Sequence, residues 1–242
     1  MVSFAQLQTT FAPGTGSGPQ YRCSADINLY SSSALDSLAT QAAAGRYLKV
    51  VSLTDADEAI KVCLCEDDYP GWLDVRDLEQ LEVAGSPYQP ALLSEAEIRA
   101  RVPDAIAFAK SAMAQPNEYL WGGTVGPNFD CSGLVQTAFA SVGIWLPRDA
   151  YQQEAFVQVI ALEDLSPGDL VFFGTPVKAT HVGIYLGDDC YIHSSGKDQG
   201  RNGIGIDCLS GGDNLTSQKY AAQIRGAGRV MAAYISSCFN DL

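Results

Sequence analysis

Thr180-His181-Val182-Gly183-Ile184-Tyr185-Leu186-Gly187-Asp188-Asp189-Cys190-Tyr191-Ile192-His193 decides the fold of this chain. Two runs rich in β-branched and aromatic residues flank Gly187-Asp188-Asp189, a pattern that predicts an antiparallel hairpin. The hairpin holds both of the chain's histidines, His181 and His193, at the ends of its strands away from the turn. With a three-residue turn, Leu186 opposes Cys190 and Gly183 opposes His193, so the two rings share a face as diagonal neighbours. A two-residue turn at Asp188-Asp189 would set Ile184 opposite His193 and send the rings to opposite faces. Register therefore decides whether the imidazoles can work together.

Outward from the hairpin, Leu170–Phe173 predicts a strand after the turn Pro167-Gly168-Asp169, and Arg229 to Ile235 a final strand. Upstream the period changes to helical. Ser94 and Glu97 form a capping-box pattern, and a helix restarting at Pro103 carries the stripe Ala105, Ile106, Ala109, Met113 before stopping short of Pro116. A second helix opens near Cys131, with Leu134, Val135, Ala138, Phe139 and Val142 at helical spacing, and ends by Gly143. Leu146-Pro147-Arg148-Asp149 opens a shorter helical segment. Helices followed by an antiparallel sheet make an α+β fold.

The first third reads differently. Residues 1–20, rich in Gly, Pro, Thr and Ser, predict a loose arm. Residues 21–81 hold short strands at 47–53, 60–65 and 71–75, with turns at Gly45, at Asp55/Asp57 and at Asp68-Tyr69-Pro70-Gly71. That predicts a small β-barrel with a marginal core of its own. Residues 82–93, with Gly85, Pro87 and Pro90, form the expected linker, and residues 94–242 the second domain.

The 242 residues are 47% hydrophobic and 18% charged, a globular composition. Asp plus Glu number 28 against 15 Lys plus Arg, for a net charge of −13. Such a chain repels phosphate backbones and anionic lipid, which excludes nucleic acid and membrane as partners. No stretch reaches the roughly 18 apolar residues of a membrane-spanning helix. The opening residues lack the basic start and apolar centre of a secretory leader. Cys23, Cys63, Cys65, Cys131, Cys190, Cys208 and Cys238 make an odd number, which predicts reduced thiols and a cytoplasmic location. A monomer is the expected state.

Cys131 is the one cysteine placed as a nucleophile. It follows a loop and opens an apolar helix, where backbone N–H groups favour a thiolate and can hold an oxyanion. Ser132 and Gly133 beside it keep the position accessible. A thiolate needs a base, and the base needs an orienting partner. His181 is assigned as the base and His193 as its orienter, which requires the three-residue register. Zinc is disfavoured because the cysteines and histidines lack close ligand spacing, and Cys63/Cys65 is not a CxxC. Gly122-Gly123 and Gly203-Ile204-Gly205 lack the context of a phosphate loop. No metal and no cofactor are expected.

Five motifs occur in order: Tyr119-Leu120-Trp121-Gly122-Gly123, Phe129-Asp130-Cys131-Ser132-Gly133, Pro167-Gly168-Asp169-Leu170-Val171-Phe172-Phe173, His181-Val182-Gly183-Ile184-Tyr185-Leu186-Gly187 and Tyr191-Ile192-His193. Together they resemble the NlpC-type cell-wall cysteine peptidases, a papain-like α+β family. The resemblance implies catalysis by Cys131, His181 and His193, and hydrolysis of the γ-D-glutamyl–diamino acid bond of peptidoglycan stem peptides. Residues 21–81, with Ile27-Asn28-Leu29 and Gly71-Trp72-Leu73, resemble a bacterial SH3-like domain. Relatives with both parts resemble recycling enzymes that take free peptides with an N-terminal L-Ala. The resemblance then implies substrate contacts from Tyr69, Asp130 and Ser132. A same-fold acyltransferase or amidase, a secreted wall hydrolase and a non-enzymatic wall-binding protein are the alternatives.

Overall fold

A computed structural model describes residues 2–10, 18–53 and 58–236. The turn expected at Asp55/Asp57 lies outside the described residues, as does Cys238. The chain divides into two compact units, Met1–Pro90 with Ile235–Leu242, and Ala91–Tyr234. The division falls inside the predicted linker, and the final residues from Ile235 group with the first unit.

The first unit opens with helix α1 (Phe4–Thr10). Strands β1 (Gln20–Cys23), β2 (Ile27–Tyr30), β3 (Leu38–Ala42), β4 (Tyr47–Leu53), β5 (Ala59–Leu64), β6 (Pro70–Asp74) and β7 (Leu81–Val83) follow. They form an antiparallel sheet of order β3-β2-β6-β5-β4-β1-β7, an SH3-like β-region. Alternate residues point inward, so Leu29, Leu48, Ile60, Val62, Leu64 and Leu73 fill one core. Val2 and Leu7 are buried in that core as well. The opening residues are therefore not wholly a loose arm: burial of Leu7 holds α1 against the barrel. Ser236 donates its hydroxyl to Asp68 within this unit.

The second unit begins with helices α2 (Glu95–Met113), α3 (Cys131–Ala140) and α4 (Ala150–Phe156). Ser94 and Glu97 cap α2 reciprocally. The restart expected at Pro103 does not occur. The helix runs through it, because Ile98 on one side and Ala105 and Ala109 on the other are buried in the same core. Strands β8 (Gln158–Ile160), β9 (Leu170–Gly174), β10 (Ala179–Gly187), β11 (Cys190–Ser195) and β12 (Gly203–Cys208) follow, then α5 (Leu215–Ala221) and β13 (Ile224–Arg229). The antiparallel sheet has the order β12-β11-β10-β9-β13-β8. The last strand ends at Arg229, where the sequence predicts its beginning. Beyond that point Val230 and Ala233 leave the ladder and are buried in the helix-side core.

The sheet is buried on both faces. Leu170, Phe172, Val182, Ile184 and Ile192 join Leu134, Val135 and Phe139 of α3 in the main core. Val171, Phe173 and Tyr191 gather with Tyr220 of α5 in a second. Full burial of each such side chain is worth about 1.5–3 kcal/mol. Among the described residues no helix is long and apolar enough to cross a membrane.

Candidate active site

The site starts from the N-terminus of α3. Asp130 is its N-cap, and its Oδ1 accepts from Gly133 N–H at 2.6 Å. Gly133 fits because a Cβ there would stand 2.0 Å from the Gly123 carbonyl oxygen. The loop before α3 thus lies directly on its first turn. Cys131 is buried, and the backbone of Val182, the residue after His181, favours its thiolate. Burial foremost, and then the Asp130 charge, push the thiol up to about 12 against the pull of the Val182 and Ser132 N–H groups. Burial thus opposes the thiolate that a helix N-terminus alone predicts.

Asp130 does more than cap. Arg148, 1% exposed, donates to Asp130 Oδ1 at 3.0 Å, to Oδ2 at 2.6 Å and to Ser132 Oγ at 3.0 Å. Gly122 N–H adds a bond to Oδ2 at 2.9 Å. Arg148 is therefore a buried clamp on Asp130 and Ser132, the residues on either side of Cys131. Trp121 is 70% exposed beside this loop. Tyr69 belongs to the first unit, where it packs against the barrel core and its N–H reaches Asp67 at 3.3 Å.

The hairpin turn takes two residues, Asp188 and Asp189, both at positive φ, and Gly187 pairs with Cys190. A bulge between Tyr185 and Gly187 then shifts the register, so Ile184 faces Ile192. Continued along the strand, this register sets Gly183 opposite His193. The structure brings the two histidines together, with His181 Nε2 2.7 Å from His193 Nδ1. Phe173, Tyr191 and Tyr220 surround them, and Tyr220 stacks on His181 with ring centroids 4.2 Å apart.

Sequence reasoning missed what lies behind His193. Asp207 Oδ2 is 2.7 Å from His193 Nε2 and accepts from Arg201 Nη2 at 2.8 Å, while Oδ1 accepts from Ser217 Oγ at 2.8 Å. The signal was the alternation Ile204, Ile206 against Gly205, Asp207 after Gly203, which reads as a strand with Asp207 on one side of it. Burial pushes the Asp207 carboxyl up, but the bonds from His193 and Ser217 and the charges nearby outweigh it and hold it well below its usual range. Burial holds His181 well below 6.5, with His193 adding to that effect and Asp207 opposing it. Burial also lowers His193, against the bond and charge of Asp207.

These partners fix the protons. An ionised Asp207 only accepts, so His193 Nε2 carries hydrogen. Neutral His193 then accepts at Nδ1 from His181 Nε2–H. Neutral His181 is left with its lone pair on Nδ1, which lies 3.4 Å from the Tyr220 hydroxyl. Among the described residues no group of three or more His, Cys, Asp or Glu is arranged to hold a metal ion.

Residues 116–225 match the model of the NlpC/P60 family, and residues 29–78 that of the bacterial dipeptidyl-peptidase Sh3 domain. A probable endopeptidase of Mycobacterium tuberculosis is 43% identical over 93 residues of this chain, covering 38% of the chain and 24% of that protein. The bifunctional muramidase/DL-endopeptidase CwlT of Bacillus subtilis is 46% identical over 81 residues, covering 32% of the chain and 25% of that protein. The Escherichia coli murein DD-endopeptidase MepS/murein LD-carboxypeptidase is 33% identical over 105 residues, covering 43% of the chain and 53% of that protein. The chain thus spans about a quarter to a half of the length of these curated relatives. A solved NlpC/P60 family protein from Bacillus cereus superposes with a TM-score of 0.47 at 25% identity, over 88% of this chain and 63% of its own. One expectation is overturned here. Relatives named as murein endopeptidases act on a polymer outside the cytoplasmic membrane, which runs against the cytoplasmic location read from the cysteines.

Proposed function

We propose that the second unit is a cysteine peptidase that hydrolyses peptidoglycan stem peptides at the γ-D-glutamyl–diamino acid bond. The observation that carries this reading is the line Asp207–His193–His181, which directs the lone pair of His181 to Nδ1, the ring nitrogen 3.4 Å from the Tyr220 hydroxyl.

The steps follow from that inventory. The Cys131 sulfur attacks the γ-carbonyl carbon as its proton passes to His181 Nδ1. His181 is then an imidazolium, stabilised through His193 by Asp207. The Cys131 backbone N–H faces the oxyanion of the tetrahedral intermediate. Collapse expels the diamino-acid amine, which takes the proton from His181, and leaves a thioester on Cys131. Water gives a proton to His181 and attacks the thioester carbon. The γ-carboxylate departs and the thiol regains its proton. The helix N-terminus serves the oxyanion, while the resting thiol stays neutral.

The finer specificity is for stems with a free N-terminal L-Ala. In this reading Asp130 and Ser132 contact the substrate, with Asp130 drawing its ammonium. Asp130 is already paired with Arg148, so the ammonium joins a filled carboxylate, and the preference for a free amine is the part most exposed to test.

Mass spectrometry of products from free L-Ala-γ-D-Glu-diamino acid peptide and from intact wall separates these statements. Release of L-Ala-γ-D-Glu, lost in Cys131→Ala, is expected. Cleavage at another bond sinks the bond assignment. Equal cleavage of glycan-linked stems sinks the free-amine preference and leaves the peptidase reading standing.

A further inference from the structure

Cys190 opens β11, Cys208 closes β12, and the two are direct cross-strand partners. Leu209 N–H donates to the Asp189 carbonyl at 2.9 Å, while Cys208 N–H turns away to Ser217 Oγ at 3.1 Å. Ladder bonds thus flank the pair instead of joining it. At such non-hydrogen-bonded positions the Cα atoms approach to about 4.5 Å and the side chains are nearest. That spacing lies within the roughly 4.4–6.8 Å a disulfide spans. Both thiols are free and partly exposed. The other described cysteines are not placed this way. Cys23, Cys65 and Cys131 are buried, and Cys63 opposes Lys49 and Pro70.

We propose that Cys190 and Cys208 are a modification site that closes to a disulfide on reaction with a low-molecular-weight disulfide such as oxidised glutathione. One thiol loses its proton and attacks the reagent, which forms a mixed disulfide and expels one glutathione thiolate. The second thiol loses its proton, attacks the protein sulfur of that bond and expels the other. Two protein thiols give up two electrons and two protons, and the reagent takes both to become two thiols. The bond staples β11 to β12, the strands that carry His193 and Asp207. It closes a loop of the length that stabilises a domain by restricting its unfolded chain. The pair is neither Cys131 nor part of the hydrogen-bonded line His181–His193–Asp207, so the proposal stands apart from the peptidase reading.

The test incubates the full chain with oxidised glutathione, alkylates the remaining thiols, digests, and maps the linkages by mass spectrometry beside a melting curve. The expected product is a Cys190–Cys208 peptide short of two hydrogens, with a Tm several degrees above that of the reduced protein and reversal by dithiothreitol. Cys190→Ser and Cys208→Ser are each expected to melt with the reduced protein and show no rise on treatment. Recovery of both cysteines as alkylated thiols, arrest at the glutathione adduct, or pairing with other cysteines overturns the proposal. So does a linked form that melts below the reduced protein.

Discussion

Asp207 Oδ2 stands 2.7 Å from His193 Nε2, with both side chains buried, and this contact settles where every proton in the line toward His181 resides. The carboxylate both fixes a tautomer and provides the negative charge that steadies an imidazolium at His181. Asp207 touches neither the sulfur nor the position of a substrate carbonyl, so it is a positioning residue.

Asp207→Asn is expected to lower kcat by roughly 100-fold to 10,000-fold with KM little changed. Loss of the charge also makes His181 a weaker base, so the acid limb of the pH profile moves to lower pH. Steady-state kinetics across pH on stem peptide check both. A kcat within a few-fold of wild type, or an unmoved limb, would remove Asp207 from the catalytic line.

The acid limb of wild-type kcat/KM is expected below pH 6.5. Burial, helped by His193, holds His181 below that value, so the base stays neutral as pH falls through 6.5. A limb at or above 6.5 would contradict a buried neutral base.

Stability is expected to fall with acid, and the sign follows from proton counts. Folded His181 and His193 titrate below 6.5, so from 6.5 downward the unfolded chain binds more protons than the folded one. Folded Asp207 is depressed as well, so its contribution is present above its unfolded pKa and is lost as pH falls through the carboxylate range. Both groups push the same way. Melting temperature measured from pH 8 to pH 4 should decline throughout the acid half. A maximum near pH 5 would refute it.

Arg148→Met is expected to destabilise the second unit by about 3–5 kcal/mol, because the Asp130 charge would stay buried without its partner. Arg148→Lys should recover only part of this, since an ammonium cannot bridge Asp130 Oδ1, Oδ2 and Ser132 Oγ as the planar guanidinium does. Chemical denaturation of the three proteins measures the differences. A loss under 1 kcal/mol in the methionine variant would make the clamp incidental.

Much of the second unit was legible because its helices declare themselves by cap and stripe: Ser94 with Glu97, and Leu134, Val135 and Phe139 behind Cys131. The hairpin strands were legible too, but the register was reached by a route the sequence did not reveal. The turn is the two-residue form at Asp188-Asp189, which by itself parts the histidines. The bulge before Gly187 restores the lost residue. A bulge answers to sheet twist and leaves no alternation in the sequence, so residue patterns cannot place it. Asp207 escaped because Gly203 and Gly205 interrupt its strand. Arg148 escaped because nothing in a linear reading shows that the Asp130 carboxylate would fold back onto it. Val230 to Ala233 read as strand because burial among helices and burial in a sheet demand the same apolar residues.

Tyr220 lies flat on the His181 ring while His193 grips its far nitrogen, so the imidazole cannot swing between two stations. In the proposed mechanism one nitrogen then receives the hydrogen from the thiol and hands it to the departing amine from the same spot. The incoming water must later occupy the place that amine has vacated. The two halves of the reaction share a single doorway, and the first product has to clear it before the second half can begin.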